Sequence, residues 1–418
     1  MDMQSKPDCL PRSAIRVWLT AALLWVGTLA FLLLGIATPN NIRFDENFYV
    51  PAARSLHAGT GEPTPYGPPL GLLLVSQGIR FFGDSPVGWR IPGAALGALT
   101  VVGAFLLTYL LLSDYALALT AAILALTNNM LYVLSRIAMM DIYLVAFAIW
   151  GILAFVAAVV IDRLEPLKRR ALLISSGVLF GFSCASKWNG VDSLAVVFAL
   201  GVLLYFWPGF SKNSEMARLG ANLRQAGGAW FASSLILVPA IAYTATFWLL
   251  SRSLALPCTW ERLVSLNRAI WEFHRTYVTS FSLAEPWYKW PLQTQPMRVL
   301  SYLVGNWYVM WAGLVALLFC LRRFARSLPE TLIVLLYAAN LLQWSVTPQQ
   351  LLYYYYYLPC AMFLSLAIPV ALHRLPTRYY GVRLSVISVL PAVCVFLYCL
   401  PHMAGLSAPY DTMFGYWP

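Results

Sequence analysis

Charge is scarce in this chain. Of 418 residues, 11% are charged and 60% are hydrophobic, too little polar surface to cover a water-soluble globule of this size. Histidine is limited to His57, His274, His373 and His402, which share no metal-ligand spacing, so no metal and no cofactor is expected. The seven cysteines contain no Cys-x-x-Cys pair and lie mostly in apolar runs, where they read as small buried hydrophobes rather than disulfide or metal partners. There is no Gly-rich phosphate loop, no Gly-x-Ser-x-Gly and no His-Glu-x-x-His, which argues against a nucleotide-driven pump or a hydrolase of those types. No internal repeat is visible, which weighs against a transporter or scramblase built from inverted repeats. The net charge of +11 is scattered rather than gathered in one domain, so no nucleic-acid partner is expected.

What the chain has is long apolar segments. Eleven windows, at about 14–37, 89–112, 115–134, 138–161, 170–187, 189–207, 228–250, 298–320, 328–346, 351–373 and 383–401, are apolar enough to be spans. They predict an all-α polytopic membrane protein; continuous rather than alternating hydrophobicity excludes a barrel. The polar start of the chain lacks a small-residue cleavage site after its apolar run, so the first window reads as a retained span. Basic clusters at Arg163 to Arg170, Lys212 to Arg224, Arg322 to Arg326 and Arg374 to Arg383 fall on the same side as the N-terminus, which predicts a cytoplasmic N-terminus and an external C-terminus. Residues 1–250 would form a transmembrane module carrying an external loop at 38–88. A Trp-, Arg- and Pro-rich external loop occupies 251–297, and a second transmembrane module with an external tail occupies 298–418. In the first loop a short helix is expected over Glu46–Ala58. The apolar stretch Leu70–Phe82, interrupted by Gly71 and Gly78, is too short to span and is expected in the membrane interface.

Several ionisable residues collect at the external ends of the predicted spans. Asp45 and Glu46 follow the first span. One of them can serve as a general base for an incoming hydroxyl, or Asp45 can simply cap the helix that follows. Arg136 and Asp141 sit across one hairpin of spans, either as a structural ion pair or as a substrate site. Lys187 precedes Trp188 and Asn189, and Arg90 lies in Gly88-Trp89-Arg90-Ile91-Pro92; each can be an anchor at the membrane surface or a ligand-binding group. Three cations and several acids at one depth point to a phosphate whose lipid tail lies between helices. The run Tyr353–Tyr357 reads as interfacial aromatics, or as a surface against which a sugar or lipid tail packs.

The series Phe44-Asp45-Glu46, Pro68-Pro69-Leu70-Gly71, Trp89-Arg90-Ile91-Pro92, Ser135-Arg136-Ile137-Ala138-Met139-Met140-Asp141, Ser186-Lys187-Trp188-Asn189-Gly190, Pro286-Trp287-Tyr288-Lys289-Trp290-Pro291 and Tyr355-Tyr356-Tyr357-Leu358-Pro359 resembles the protein O-mannosyltransferase family, in the GT-C class of polyprenyl-phosphate-dependent glycosyltransferases. The resemblance implies an inverting enzyme that moves mannose from a polyprenyl-phosphate donor to Ser or Thr hydroxyls of an exported polypeptide at the external face of the membrane. It implies Asp45 as base with Glu46 assisting, and Arg90, Arg136, Asp141, Lys187, Trp188 and Asn189 around the donor phosphate. Tyr49, Trp287, Trp290, Tyr355 and Tyr356 are candidates to contact sugar or acceptor. Family members commonly read His-Pro-Pro-Leu-Gly-Lys where this chain has Gly67 and Leu72 at the ends of the motif. No large external domain separates the spans, so a related transferase acting on a lipid or cell-envelope glycan is the alternative.

Overall fold

The computed structural model describes residues 12–206, 214–277, 284–293, 297–298, 302–347, 349, 351–375, 378–379 and 382–404. The chain is a bundle of helices in the order α1 (Arg12–Leu33), α2 (Glu46–Ala58), α3 (Leu70–Phe82), α4 (Pro86–Leu112), α5 (Tyr115–Leu126), α6 (Asn129–Leu134), α7 (Met140–Val160), α8 (Pro166–Ser186), α9 (Gly190–Phe206), α10 (Ser214–Arg224), α11 (Gly228–Ser253), α12 (Trp260–Thr276), α13 (Trp307–Leu321), α14 (Leu328–Leu342), α15 (Leu358–Leu372) and α16 (Leu384–Met403). Among the described residues the strands are confined to two antiparallel hairpins of two residues per strand, β1 (Met297–Arg298) with β2 (Tyr302–Leu303), and β3 (Arg378–Tyr379) with β4 (Val382–Arg383). Six helical segments among the described residues are long and apolar enough to cross a membrane, which makes this an integral multi-pass protein. Of these, α7 and the segment ending in α15 are the most enclosed, whereas α1 and α16 expose most of their apolar surface, as helices facing lipid do.

Each apolar window holds helix, with two departures. The third is broken into α5 and α6 at Thr127–Asn128. There the Asn128 side chain caps α6 by accepting from Met130 N, and the Thr127 carbonyl accepts from Asn306 Nδ2 at 2.8 Å, so the interrupted backbone keeps its partners. The eighth window was expected to be helical from 298, but its helix starts at Trp307 because the β1–β2 hairpin occupies the preceding residues. Asn306 is the N-cap of α13 and accepts from Val309 N.

Helices α2 and α3 have the boundaries expected for the first loop, but the glycines of α3 do not interrupt it. They are points of close approach. A Cβ at Gly71 would lie 1.9 Å from Met140 Sδ, and one at Gly78 would lie 2.2 Å from the Gly88 carbonyl oxygen. These contacts hold α3 against the start of α7 and the N-terminal part of α4, under the loop that carries Asp45 and Glu46.

Candidate active site

Adjacent acids at 45 and 46 face different surroundings. Arg90, on α4, is fully buried and donates from Nε to Glu46 Oε1 and from one terminal nitrogen to Glu46 Oε2, both at 2.8 Å. Its remaining N–H groups go to the carbonyls of Ile36 and Pro39 at 3.0 Å and of Asn41 at 3.1 Å. All five guanidinium donors are used. Glu46 in turn accepts two backbone N–H groups, from Ala138 at Oε1 and from Arg43 at Oε2. A buried carboxylate with four donors has no lone pair left for an incoming proton. Arg90 and Glu46 therefore do not line the cavity that Asp45 enters, where they were expected: they clamp the 36–46 loop onto α4 and onto Ala138 ahead of α7. Arg136 is also removed from the expected cluster. It is buried, donates to the carbonyls of Leu32 and Leu34 at the end of α1, and lies 5.0 Å from the Tyr132 ring centroid. A cation at the C-terminal end of a helix is favourably placed for the helix dipole.

Asp45 turns the other way. It stands at the N-cap position of α2 with φ −67° and ψ −11°, yet its side chain makes no capping bond. The preceding Phe44 has a positive φ of 48°, an uncommon conformation for a bulky residue. Its ring is held edge-on against Tyr355 with 5.5 Å between centroids. The Asp45 carboxylate therefore enters a cavity of about 480 Å³, where the Tyr355 hydroxyl donates to Oδ2 at 2.9 Å. Burial raises its pKa to about 6. The Tyr355 hydrogen bond and the charge of Lys187 act in the opposite direction, and the charge of Asp141 adds to the rise.

Lys187 ends α8 and projects into the same cavity, with its Nζ 2.7 Å from Asp141 Oδ1 and 3.8 Å from the Tyr356 ring centroid. Trp188 and Asn189 also line the wall. The Trp188 indole donates to the Tyr243 hydroxyl at 2.9 Å, and the Asn189 amide donates to Gln343 Oε1 at 2.5 Å. Tyr49, Tyr355 and Tyr356 reach the cavity, and burial pushes the Tyr49 phenol well above its ordinary pKa. Trp287 and Trp290 are not among its lining residues. Trp290 is fully buried behind the wall, edge-on to Trp344 at 5.6 Å, so it packs against the aromatic wall from outside the cavity.

The second long loop supplies a wall that reading the sequence did not resolve. Trp271, Phe273, His274 and Arg275 of α12 line the cavity opposite Asp45, with Tyr66 and Phe48 packed beside them. Burial and the neighbouring charge of Lys187 lower the pKa of His274 to about 4, partly offset by a bond to the Tyr66 carbonyl. Arg275 is exposed and pairs with Glu272 at 2.8 Å. The available signal was the amphipathic pattern of 260–276, apolar residues at helical spacing inside a Trp-rich loop.

The fold of this helical bundle is shared with GT-C membrane glycosyltransferases of solved structure. The chain aligns with a structure of the S. cerevisiae protein O-mannosyltransferase Pmt1–Pmt2 complex bound to the sugar donor at TM-score 0.76 and 14% identity, covering 96% of this chain and 91% of that one. It aligns with ArnT from Cupriavidus metallidurans bound to undecaprenyl phosphate at TM-score 0.63 and 16% identity, covering 96% of this chain and 67% of that one. Residues 56–254 match the profile of the dolichyl-phosphate-mannose-protein mannosyltransferase family. The polyprenol-phosphate-mannose–protein mannosyltransferase of Mycolicibacterium smegmatis is 25% identical across 73% of this chain and 68% of its own length. The Mycobacterium tuberculosis protein of the same name is 24% identical across 87% of this chain and 82% of its own length. Over these residues the chain is similar to the protein O-mannosyltransferase family.

Proposed function

We propose that this protein transfers mannose from a polyprenyl-phosphate-linked donor to Ser or Thr hydroxyls of exported polypeptides, with inversion, at the external face of the membrane. The observation that carries this reading is the Asp45 carboxylate turned into the cavity that also holds Lys187, where burial raises its pKa to about 6. The names of the related proteins supply the sugar, the lipid carrier and the class of acceptor.

In the reaction the acceptor oxygen forms a bond to the anomeric carbon while the bond from that carbon to the phosphate oxygen breaks. The hydroxyl proton goes to Asp45 and the electron pair leaves with the lipid phosphate. One base and one leaving group suffice for a single displacement, which is why inversion is expected. Lys187 meets the charge that grows on the phosphate, a contribution on the order of 3 kcal/mol by comparison with other preorganised donors. Asp141 holds the ammonium in place, and Arg275 adds positive potential at the cavity wall. The reaction as written calls on no cofactor. On this reading the N-terminus is cytoplasmic and the cavity external, a sidedness supported by the Lys/Arg excess in the loops that alternate with those carrying the cavity residues.

A second reading has one observation in its favour. Gly67, at the position where the family commonly has His, lines the cavity, so the acceptor side of this site differs from the family pattern and suits a lipid or cell-envelope glycan as acceptor. Incubating purified protein with polyprenyl-phosphate-mannose and a Ser/Thr peptide, followed by mass analysis, tests the first reading. A hexose on the peptide that disappears with Asp45→Ala supports it. A product found only on lipid or glycan acceptors supports the second reading, and undiminished transfer by the Asp45→Ala protein removes the base assignment.

A further inference from the structure

We propose that Tyr355 positions Asp45: its hydroxyl occupies Oδ2, leaving Oδ1 as the oxygen that meets the acceptor's proton. This deepens the transfer reading and rests on it. Among the described residues the Tyr355 hydroxyl is the donor that reaches the Asp45 side chain, at 2.9 Å across 310 residues of sequence. The phenol is itself held on several sides. Its ring stacks on Tyr353 at 5.6 Å with an interplanar angle of 11°, meets Phe44 at 90°, and meets Tyr356 at 4.6 Å and 75°. Tyr356 is fixed in turn by stacking on Trp344 at 4.8 Å and by Gln349 Nε2, which donates to its hydroxyl at 2.8 Å. The Phe44 contact that accompanies the left-handed turn thus also braces the ring whose hydroxyl holds the carboxylate.

The charged and titratable groups around Asp45 are Asp141 from α7, Lys187 from the end of α8, Tyr49 from α2, Tyr66 from the first loop, His274, Arg275 and Tyr277 from α12 and its end, and Tyr353, Tyr355 and Tyr356 from the 353–357 run. Lys187 is engaged by Asp141 and the Tyr356 ring rather than by a direct ion pair with Asp45. The Tyr355 hydroxyl is therefore the contact that orients the carboxylate, and because it donates to the charged form it favours ionisation. A tyrosine serving only as aromatic filling would do neither.

The test uses the full-length protein in detergent or nanodiscs. The infrared carboxyl band of Asp45, assigned by its loss in Asp45→Asn, is titrated in the parent and in Tyr355→Phe, and the pH profile of kcat/KM for peptide mannosylation is measured alongside. Removing a hydrogen bond to a charged group should raise the carboxyl midpoint by about one pH unit. The acidic limb of the rate profile should move with it, giving about tenfold slower transfer below the parent midpoint and partial recovery at alkaline pH. Tyr353→Phe, which removes a neighbouring hydroxyl with no bond to Asp45, should leave the carboxyl midpoint where it was. If Tyr355→Phe does not fold, 3,5-difluorotyrosine at 355 keeps the ring and strengthens the donor, and should lower the midpoint. An unchanged midpoint in either 355 variant, in protein that still transfers mannose, overturns the positioning role alone. A shifted midpoint in protein that transfers no sugar to any acceptor overturns the transfer reading, and with it the purpose assigned to this hydroxyl.

Discussion

Replacing Asp45 with Asn should stabilise the protein while abolishing transfer. The folded protein holds this carboxyl at a pKa of about 6 against an ordinary value of 3.8, chiefly because burial penalises the charge. The sign follows from linkage. A group whose folded pKa is raised binds its proton more tightly in the native state, so its contribution to stability is fully present below the unfolded value and is lost as pH rises through about 6. About two pKa units correspond to about 3 kcal/mol, and the half-buried position of the carboxylate reduces this to about 2 kcal/mol above neutrality. Asn keeps an oxygen that can accept from Tyr355 and carries no charge to desolvate. Thermal unfolding of the two proteins in detergent should therefore coincide near about pH 4, diverge between about pH 4 and about pH 6, and stay apart above that, with the Asn variant melting higher. Mannosylation should fall by a factor on the order of a hundred or more, the usual worth of a positioned base. An Asn variant that melts at or below the parent at neutral pH, or a gain that does not vary across that interval, would refute the reasoning that burial of a working charge is what raises the pKa.

Three further outcomes follow from the same geometry. Glu46→Gln leaves the Arg90 guanidinium buried without its counter-charge and should cost about 3–5 kcal/mol, visible as a lowered melting temperature and poor recovery from membranes. A variant with parental stability and a selective loss of kcat would instead return Glu46 to the chemistry. Lys187→Met should reduce kcat about 100-fold or more. Lys187→Arg should not restore it, because the planar guanidinium cannot reproduce a compact ammonium against Asp141 and the Tyr356 face; full rescue by Arg would show that charge alone is needed. His274, with its pKa lowered to about 4, is neutral throughout the working range, so the acidic limb of the rate profile should persist near pH 6 in His274→Ala; its disappearance would assign that limb to the imidazole instead of to Asp45.

Much of the architecture is a local property of the chain. A stretch such as 140–160 is apolar on every face and has no stable alternative to a helix once water is excluded, so its existence is readable without knowing its neighbours. Helix α2 was readable from its acidic start and the Gly59 that ends it in the left-handed conformation, and α3 from an apolar run bounded by Pro69 and Gly83. The breaks at Thr127–Asn128 and ahead of Trp307 were not readable, because apolar residues continue through both and the partners that stabilise them come from distant segments. Arg90, Arg136 and Lys187 shared a residue class and a predicted depth, and nothing local distinguished the two that are consumed by backbone carbonyls from the one that reaches the cavity.

The amino-acid order alone determined that this is a membrane-embedded helical protein, and its motif spacing directed attention to residues 45 and 187, since hydropathy and motif spacing are carried by contiguous residues. Only the tertiary structure decided which of two neighbouring acids is free. Glu46 meets Arg90 and the backbone of Ala138, Asp45 meets Tyr355 from the far end of the chain, and Phe44 takes up a left-handed turn between the 36–46 clamp and the aromatic wall. Hydrogen-bond capacity is a finite count at each atom, and which groups exhaust it depends on segments that come together only when the bundle closes.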